Sequence, residues 1–144
     1  TYFGEGGNKL ELKNVLGRNM MRLIKVSYTN EMPVDSTGTS VELIAEDSLN
    51  NFERKENEIF ATYERKFHST DSKILISVVF QFRSAIKNES KVSDSELIDL
   101  IQKHKSQYVL LAPSEASLII TNIMKSAGFP PVITPPTFIE KTKN

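Results

Sequence analysis

Across residues 74–82 every second position carries a large apolar side chain: Ile74, Ile76, Val78, Phe80 and Phe82. Side chains of an extended chain point alternately to opposite faces, so this period puts all five on one face of a strand and fits no helical stripe. Upstream, Ile59, Ala61, Tyr63 and Phe67 alternate with Thr62, Glu64, Lys66 and His68, and the turn-forming residues 69–72 separate the two runs. Two such runs joined by a short turn make an antiparallel hairpin with one buried face. Val41, Leu43 and Ala45 alternate in the same way with Glu42 and Glu46, after a turn at Asp35, Ser36, Thr37 and Gly38. Met20, Met21, Leu23, Ile24, Val26 and Tyr28 form a further strand-like run, ended by Asn30 and Pro33. Residues 49–57 are polar except for Leu49 and Phe52, and read either as a loop or as the bulged middle of a longer hairpin element.

The period then changes. Ser93, Asp94, Ser95 and Glu96 spell a capping box, in which the serine accepts from the third helical amide and the glutamate reaches back to the cap amide. Leu97, Leu100 and Ile101, followed by His104, keep helical spacing after it. Pro113 suits the first turn of a second helix, whose Ala116, Ile119, Ile120, Ile123 and Ala127 share a face until Gly128 and Pro130 stop it. Strands grouped before helices predict an α+β architecture, a four-stranded antiparallel sheet followed by two helices packed on one side. The 144 residues suit one domain. The expected division is a flexible leader over 1–17, a single domain over 18–139 and a short basic tail over 140–144. Gly4, Gly6 and Gly7 lack the preceding strand that a phosphate loop requires.

Lysine plus arginine balance aspartate plus glutamate at 18 each, which removes the general attraction for phosphate backbones and argues against a nucleic-acid partner. With no cysteine, thiolate metal sites, disulfides and a cysteine nucleophile are excluded, and a reducing cytoplasm fits best. No apolar stretch approaches the roughly 20 residues of a membrane helix. Thr1 opens neither a signal peptide nor an ordinary initiator, so export of the chain itself is not expected. Only two histidines, His68 and His104, stand far apart in sequence, so a metal pair is not expected. The acid-rich span 42–58 reads as a solvated sheet edge rather than as paired catalytic carboxylates. No catalytic grouping or cofactor motif stands out, and the expectation is a protein that is not an enzyme.

Leu110, Leu111, Ala112 and Pro113 open the last helix, which closes on Gly128, Phe129, Pro130, Pro131, Val132, Ile133, Thr134, Pro135, Pro136, Thr137 and Phe138. This end resembles that of the SecB-family chaperones, and the resemblance extends over residues 18–138. It implies an ATP-independent holdase that binds non-native polypeptides, either preproteins for export or an aggregation-prone antitoxin. It further implies a homotetramer built as a dimer of dimers, and the export motor ATPase as a partner. The family's export members are usually acidic; this neutral chain suits the branch that serves toxin–antitoxin pairs. The competing reading is a non-catalytic interaction subunit that binds one folded protein partner.

A holdase needs exposed apolar surface. The candidate polypeptide-binding residues are Phe52, Phe80, Phe82, Phe129 and Ile133. Phe80 and Phe82 weigh toward core, because they lie on the most regular strand face, while Phe52 and Phe129 stand evenly between core and groove. Met20 and Met21 weigh toward core filling. Leu97, Leu100, Ile101 and His104 are assigned by the resemblance to a contact between subunits, although the same face would also suit the chain's own sheet. The residues 129–138, with two proline pairs, are expected to run extended along an apolar surface.

Overall fold

The computed structural model describes residues 11–33, 41–87 and 91–140. The expectations for residues 1–8, for the turn at 35–38 and for the last lysines lie outside them. The elements run α1 (Leu12–Val15), β1 (Leu16–Asn30), β2 (Leu43–Lys55), β3 (Glu58–Ser69), β4 (Ile74–Ile86), α2 (Asp94–Lys103), α3 (Lys105–Val109) and α4 (Ala112–Ser126). One antiparallel sheet is ordered β1-β4-β3-β2, so β1 crosses over to lie beside β4 and forms one edge, with β2 at the other. The α+β arrangement is the expected one, with more helical pieces than two. The single-turn α1 places Leu12 and Val15 in the core, so the folded body starts before Arg18.

The period-two patterns act as expected on the covered face. Ile59, Ala61, Tyr63 and Phe67 of β3 and Ile74, Ile76, Val78, Phe80 and Phe82 of β4 are all buried. The uncertain stretch 49–57 is a bulged strand: the β2–β3 register jumps between Asn50 and Glu53, and Asn51 takes a positive φ of 57°. One residue too many on one strand accounts for both. The capping box at Ser93 forms in full, with the Ser93 side chain accepting from the Glu96 amide and Glu96 accepting from the Ser93 amide. Buried Leu97, Leu100 and Ile101 lie under α2, which packs on β2, while α4 packs over β3 and β4. Gly128, with φ +90°, ends α4: its amide donates to Lys125 O and the Phe129 amide to Met124 O. Glycine at that position is the least costly way into the left-handed conformation that this closure needs.

Beyond Gly128 the chain forms no further helix or strand as far as Glu140 and bends at Pro136 and Thr137, in keeping with its prolines. It is not held by apolar contact alone. Arg65 of β3, fully buried, stands directly opposite Asp47 of β2, and the two form a bidentate pair at 2.7 and 2.8 Å. The remaining guanidinium hydrogens reach Pro113 O (3.3 Å), Thr134 Oγ1 (2.9 Å), Pro135 O (2.5 Å) and Thr137 O (2.9 Å). Asp47 also accepts from the Ile139 amide at 2.8 Å, and Ser117 Oγ of α4 donates to Thr134 O. Phe138 is buried against the Tyr63 ring, 6.0 Å between centroids. One cross-strand ion pair thus fastens sheet, last helix and tail together.

On the uncovered face His68 lies between two acceptors, Ser69 O at 3.0 Å from Nδ1 and Glu46 Oε2 at 2.5 Å from Nε2. Satisfying both takes two N–H donors, so the site favours imidazolium. The hydrogen bond to Glu46, then that to the Ser69 carbonyl, raises the His68 pKa against partial desolvation and the repulsion of Lys66.

Two outcomes follow from these contacts. Asp47→Asn leaves a buried guanidinium uncompensated and is expected to cost about 3–5 kcal/mol in urea unfolding. A loss below about 1 kcal/mol, the worth of an ordinary surface pair, would remove the clamp from this account. His68 is raised in the folded state, so its stabilisation is complete below the unfolded value of 6.5 and fades as pH rises through the folded one. His68→Gln should therefore fall furthest below the parent in melting temperature near about pH 5.5, with the gap closing toward alkaline pH; a gap that is constant or widens would contradict the assignment.

Candidate polypeptide-binding surface

The helices do not cover the whole sheet. β1 presents Met21 opposite Phe82, Leu23 opposite Phe80, Val26 opposite Val78 and Tyr28 opposite Ile76. Cross-strand partners share a face, so these four lie on the helix side of the sheet. Their β4 partners are buried, yet Leu23, Val26 and Tyr28 remain 47%, 41% and 39% exposed. The cause is geometric: α4 sits over β3 and β4, and α2 over β2.

The last helix forms the second wall. Ser117 and Thr121, one turn apart, hydrogen-bond the tail carbonyls of Thr134 and Val132. At 100° per residue Ile119 and Ile123 project from the opposite flank. There Ile123 and Ala127 meet Tyr28, and with Asn122 and Ser126 they line a hollow of about 330 Å³. At the other end of β1 a second hollow, about 220 Å³, is walled by Leu12, Leu16 and Leu110 over Asn19, Ser84 and Tyr108. Ser84 Oγ donates to Asn19 Oδ1, and the Asn19 amide nitrogen donates to Tyr108 O, so the polar floor is internally tied. Burial pushes the Tyr108 phenol up to about 12. An apolar strip along β1, with a depression at each end, is thus open on the helix side of the sheet.

The candidate residues fall differently. Phe80 and Phe82 are core, under the helices, and line no open groove. Phe52, next to the β2 bulge, and Phe129, just past α4, are half-buried and pack against the core. Ile133 is 83% exposed on the tail, on the far flank of α4 from the β1 strip. Leu97, Leu100 and Ile101 are buried against the chain's own sheet, so this face is occupied within the protomer; His104 is exposed as the C-cap of α2. Met21 is half-buried against the core, whereas Met20 is 58% exposed. The strip residues Leu23, Val26, Tyr28 and Ile123 were legible as apolar positions, but nothing in one sequence says which apolar positions the helices leave uncovered. A register shift between Leu23 and Lys25 also breaks their alternation. Among the described residues no helix is long and apolar enough to cross a membrane.

No family model matches the sequence, and no curated protein matches it. Among solved structures, a SecB-like chaperone of Mycobacterium tuberculosis, in complex with a ChAD peptide from an antitoxin, superposes with a TM-score of 0.61 at 8% identity, covering 87% of this chain and 89% of that one. A protein of unknown function from Streptococcus agalactiae aligns at a TM-score of 0.35 and 14% identity, over 82% of this chain and 97% of that one, a score too low to establish a common fold. The four-stranded antiparallel sheet followed by helices is the SecB-like fold, carried here by a sequence with almost no identity to the chaperone that shares it.

Proposed function

We propose that this protein is an ATP-independent holding chaperone that takes up non-native, apolar polypeptide segments along β1 and the adjoining flank of α4. The observation that carries the reading is the uncovered strip of Leu23, Val26 and Tyr28 beside Ile123, an apolar surface left open between β1 and the last helix. The fold supports it, since a protein of the same fold is seen with an antitoxin peptide. The client proposed first is an aggregation-prone antitoxin, with a preprotein for export as the other; docking on the export motor ATPase would belong to the second. The working compartment proposed is the cytoplasm.

A homotetramer is part of the same proposal, but its contact moves. The buried face of α2 is unavailable, whereas the β1 edge carries exposed Ile24 and a row of backbone groups with no further strand beside it among the described residues. Such an edge invites pairing with a second copy.

Light scattering of a thermally aggregating client tests the holdase. Stoichiometric parent protein is expected to suppress scattering, and the variant Leu23→Ser/Val26→Ser to lose most of that effect. Because both positions are only about half buried, the melting temperature should fall far less than on truncating a core residue. Ile133→Ser, on the other flank, should protect like the parent. If parent and double variant protect equally, or neither protects any of several clients, the proposal is wrong. For the oligomer, sedimentation should show a multimer that Ile24→Lys shifts toward smaller species, since a charge on an edge strand opposes pairing; a monomeric parent would overturn it.

A further inference from the structure

The face of the sheet that carries no helix holds a third hollow, across β1 from the strip. Met20, Arg83 and Phe60 lie in one cross-strand row over β1, β4 and β3, and Arg22, Gln81 and Thr62 in the next row but one residue pair along. Met20, Arg22, Phe60, Gln81 and Arg83, with Met21 at its edge, line a hollow of about 270 Å³. The walls are apolar at Met20 and Phe60 and polar or cationic at Gln81, Arg22 and Arg83, whose guanidinium stands 5.9 Å from the Phe60 ring centre.

The two arginines differ in what they still offer. Arg83 is engaged by Glu58 at 2.5 Å. Arg22 donates from Nε to Gln81 Oε1 at 3.1 Å, and among the described residues its two terminal nitrogens have no hydrogen bond or ion pair. The Gln81 contact anchors the guanidinium at its inner nitrogen, so the outer fork stays free at the rim of the hollow. A planar fork of parallel N–H donors matches a carboxylate bidentately, a geometry that a lysine cannot reproduce. Met20 beside it is flexible and polarizable, and accommodates apolar groups of varied shape.

We propose that this hollow is a docking site for an acidic peptide segment of a partner protein, a carboxylate on Arg22 with the neighbouring apolar side chain seated on Met20 and Phe60. Charge complementarity selects that occupant: the unengaged charge at the rim is positive, and Glu58 is already held by Arg83. The site is separate from the β1 strip on the helix side, so one copy of the chain would hold a client on one face of its sheet and a partner on the other.

Fluorescence anisotropy with a short capped, labelled peptide alternating leucine with aspartate tests it, beside the same peptide with asparagine for aspartate. The aspartate probe is expected to bind the parent and to weaken with added salt. Arg22→Gln should weaken it roughly tenfold, the worth of one charge-assisted contact. Met20→Ser should weaken both probes, with every comparison made in the Leu23→Ser/Val26→Ser background to remove the strip as a second site for leucine. Equal affinity for the two probes, or an Arg22→Gln variant that binds like the parent, would overturn the proposal. In that background the strip no longer competes for leucine and the probe reads this face alone, so absence of client protection by the parent with intact probe binding would sink the chaperone reading alone.

Discussion

The buried Arg65–Asp47 pair is the contact on which the rest of the architecture depends. A segment with two proline pairs has carbonyls to satisfy and few amides to offer, so it cannot add to a sheet as an ordinary strand. Something must bring donors to it, and a guanidinium brings five in a fixed fork. Arg65 gives two to Asp47, which keeps the charge compensated, and the rest to carbonyls and a hydroxyl of the tail and to Pro113 at the head of α4. An isolated buried ion pair is a weak source of stability. This one is embedded in backbone hydrogen bonds from two other elements, and removing either partner would strand several groups at once.

That clamp also decides which part of the sheet stays open. With its Ser117 and Thr121 flank tied to the tail, α4 lies over β3 and β4 and cannot slide across to β1. The two edges of the sheet differ accordingly. β2 is bulged at Asn51, bears Glu46, Glu53, Arg54 and Lys55, and has Gln102 donating to its Leu49 carbonyl. Those are the devices that blunt an edge. β1 is longer and apolar on the helix side, though it too carries register shifts and the charged Arg18, Arg22 and Lys25.

Much of this was legible in advance, for a physical reason. Strand period, the capping box at Ser93 and the stop at Gly128 are local signals, carried by residues within a few positions of one another, and the structure reproduces each. The clamp had a signal too: Asp47 continues the alternation of Leu43, Ala45 and Leu49, and Arg65 that of Ile59, Ala61, Tyr63 and Phe67. Both sit at inward positions of adjacent strands. Read one at a time, a charged residue at an inward position looks like a break in the pattern; only pairing in register makes it a core contact. The apolar face of α2 failed in the opposite sense. Leu97, Leu100 and Ile101 had the right spacing for a buried stripe, but spacing does not say whose surface buries it, and the chain's own sheet does.

The same limit governs the aromatic residues, and it bears on where the proposed binding surface lies. Phe80 and Phe82 lie on an inner strand covered by α4, with Phe82 also against Tyr108 of α3, so they are buried as core. A surface that must take up diverse segments without unfolding its carrier has to be built from residues whose exposure the fold tolerates. An edge strand next to a well-packed neighbour meets that condition: Leu23, Val26 and Tyr28 stand on buried Phe80, Val78 and Ile76, which hold β1 in register from one side while the other side of each strip residue faces solvent. Core and proposed capture surface are therefore successive strands of one sheet, and substitutions can alter the second while leaving the first intact.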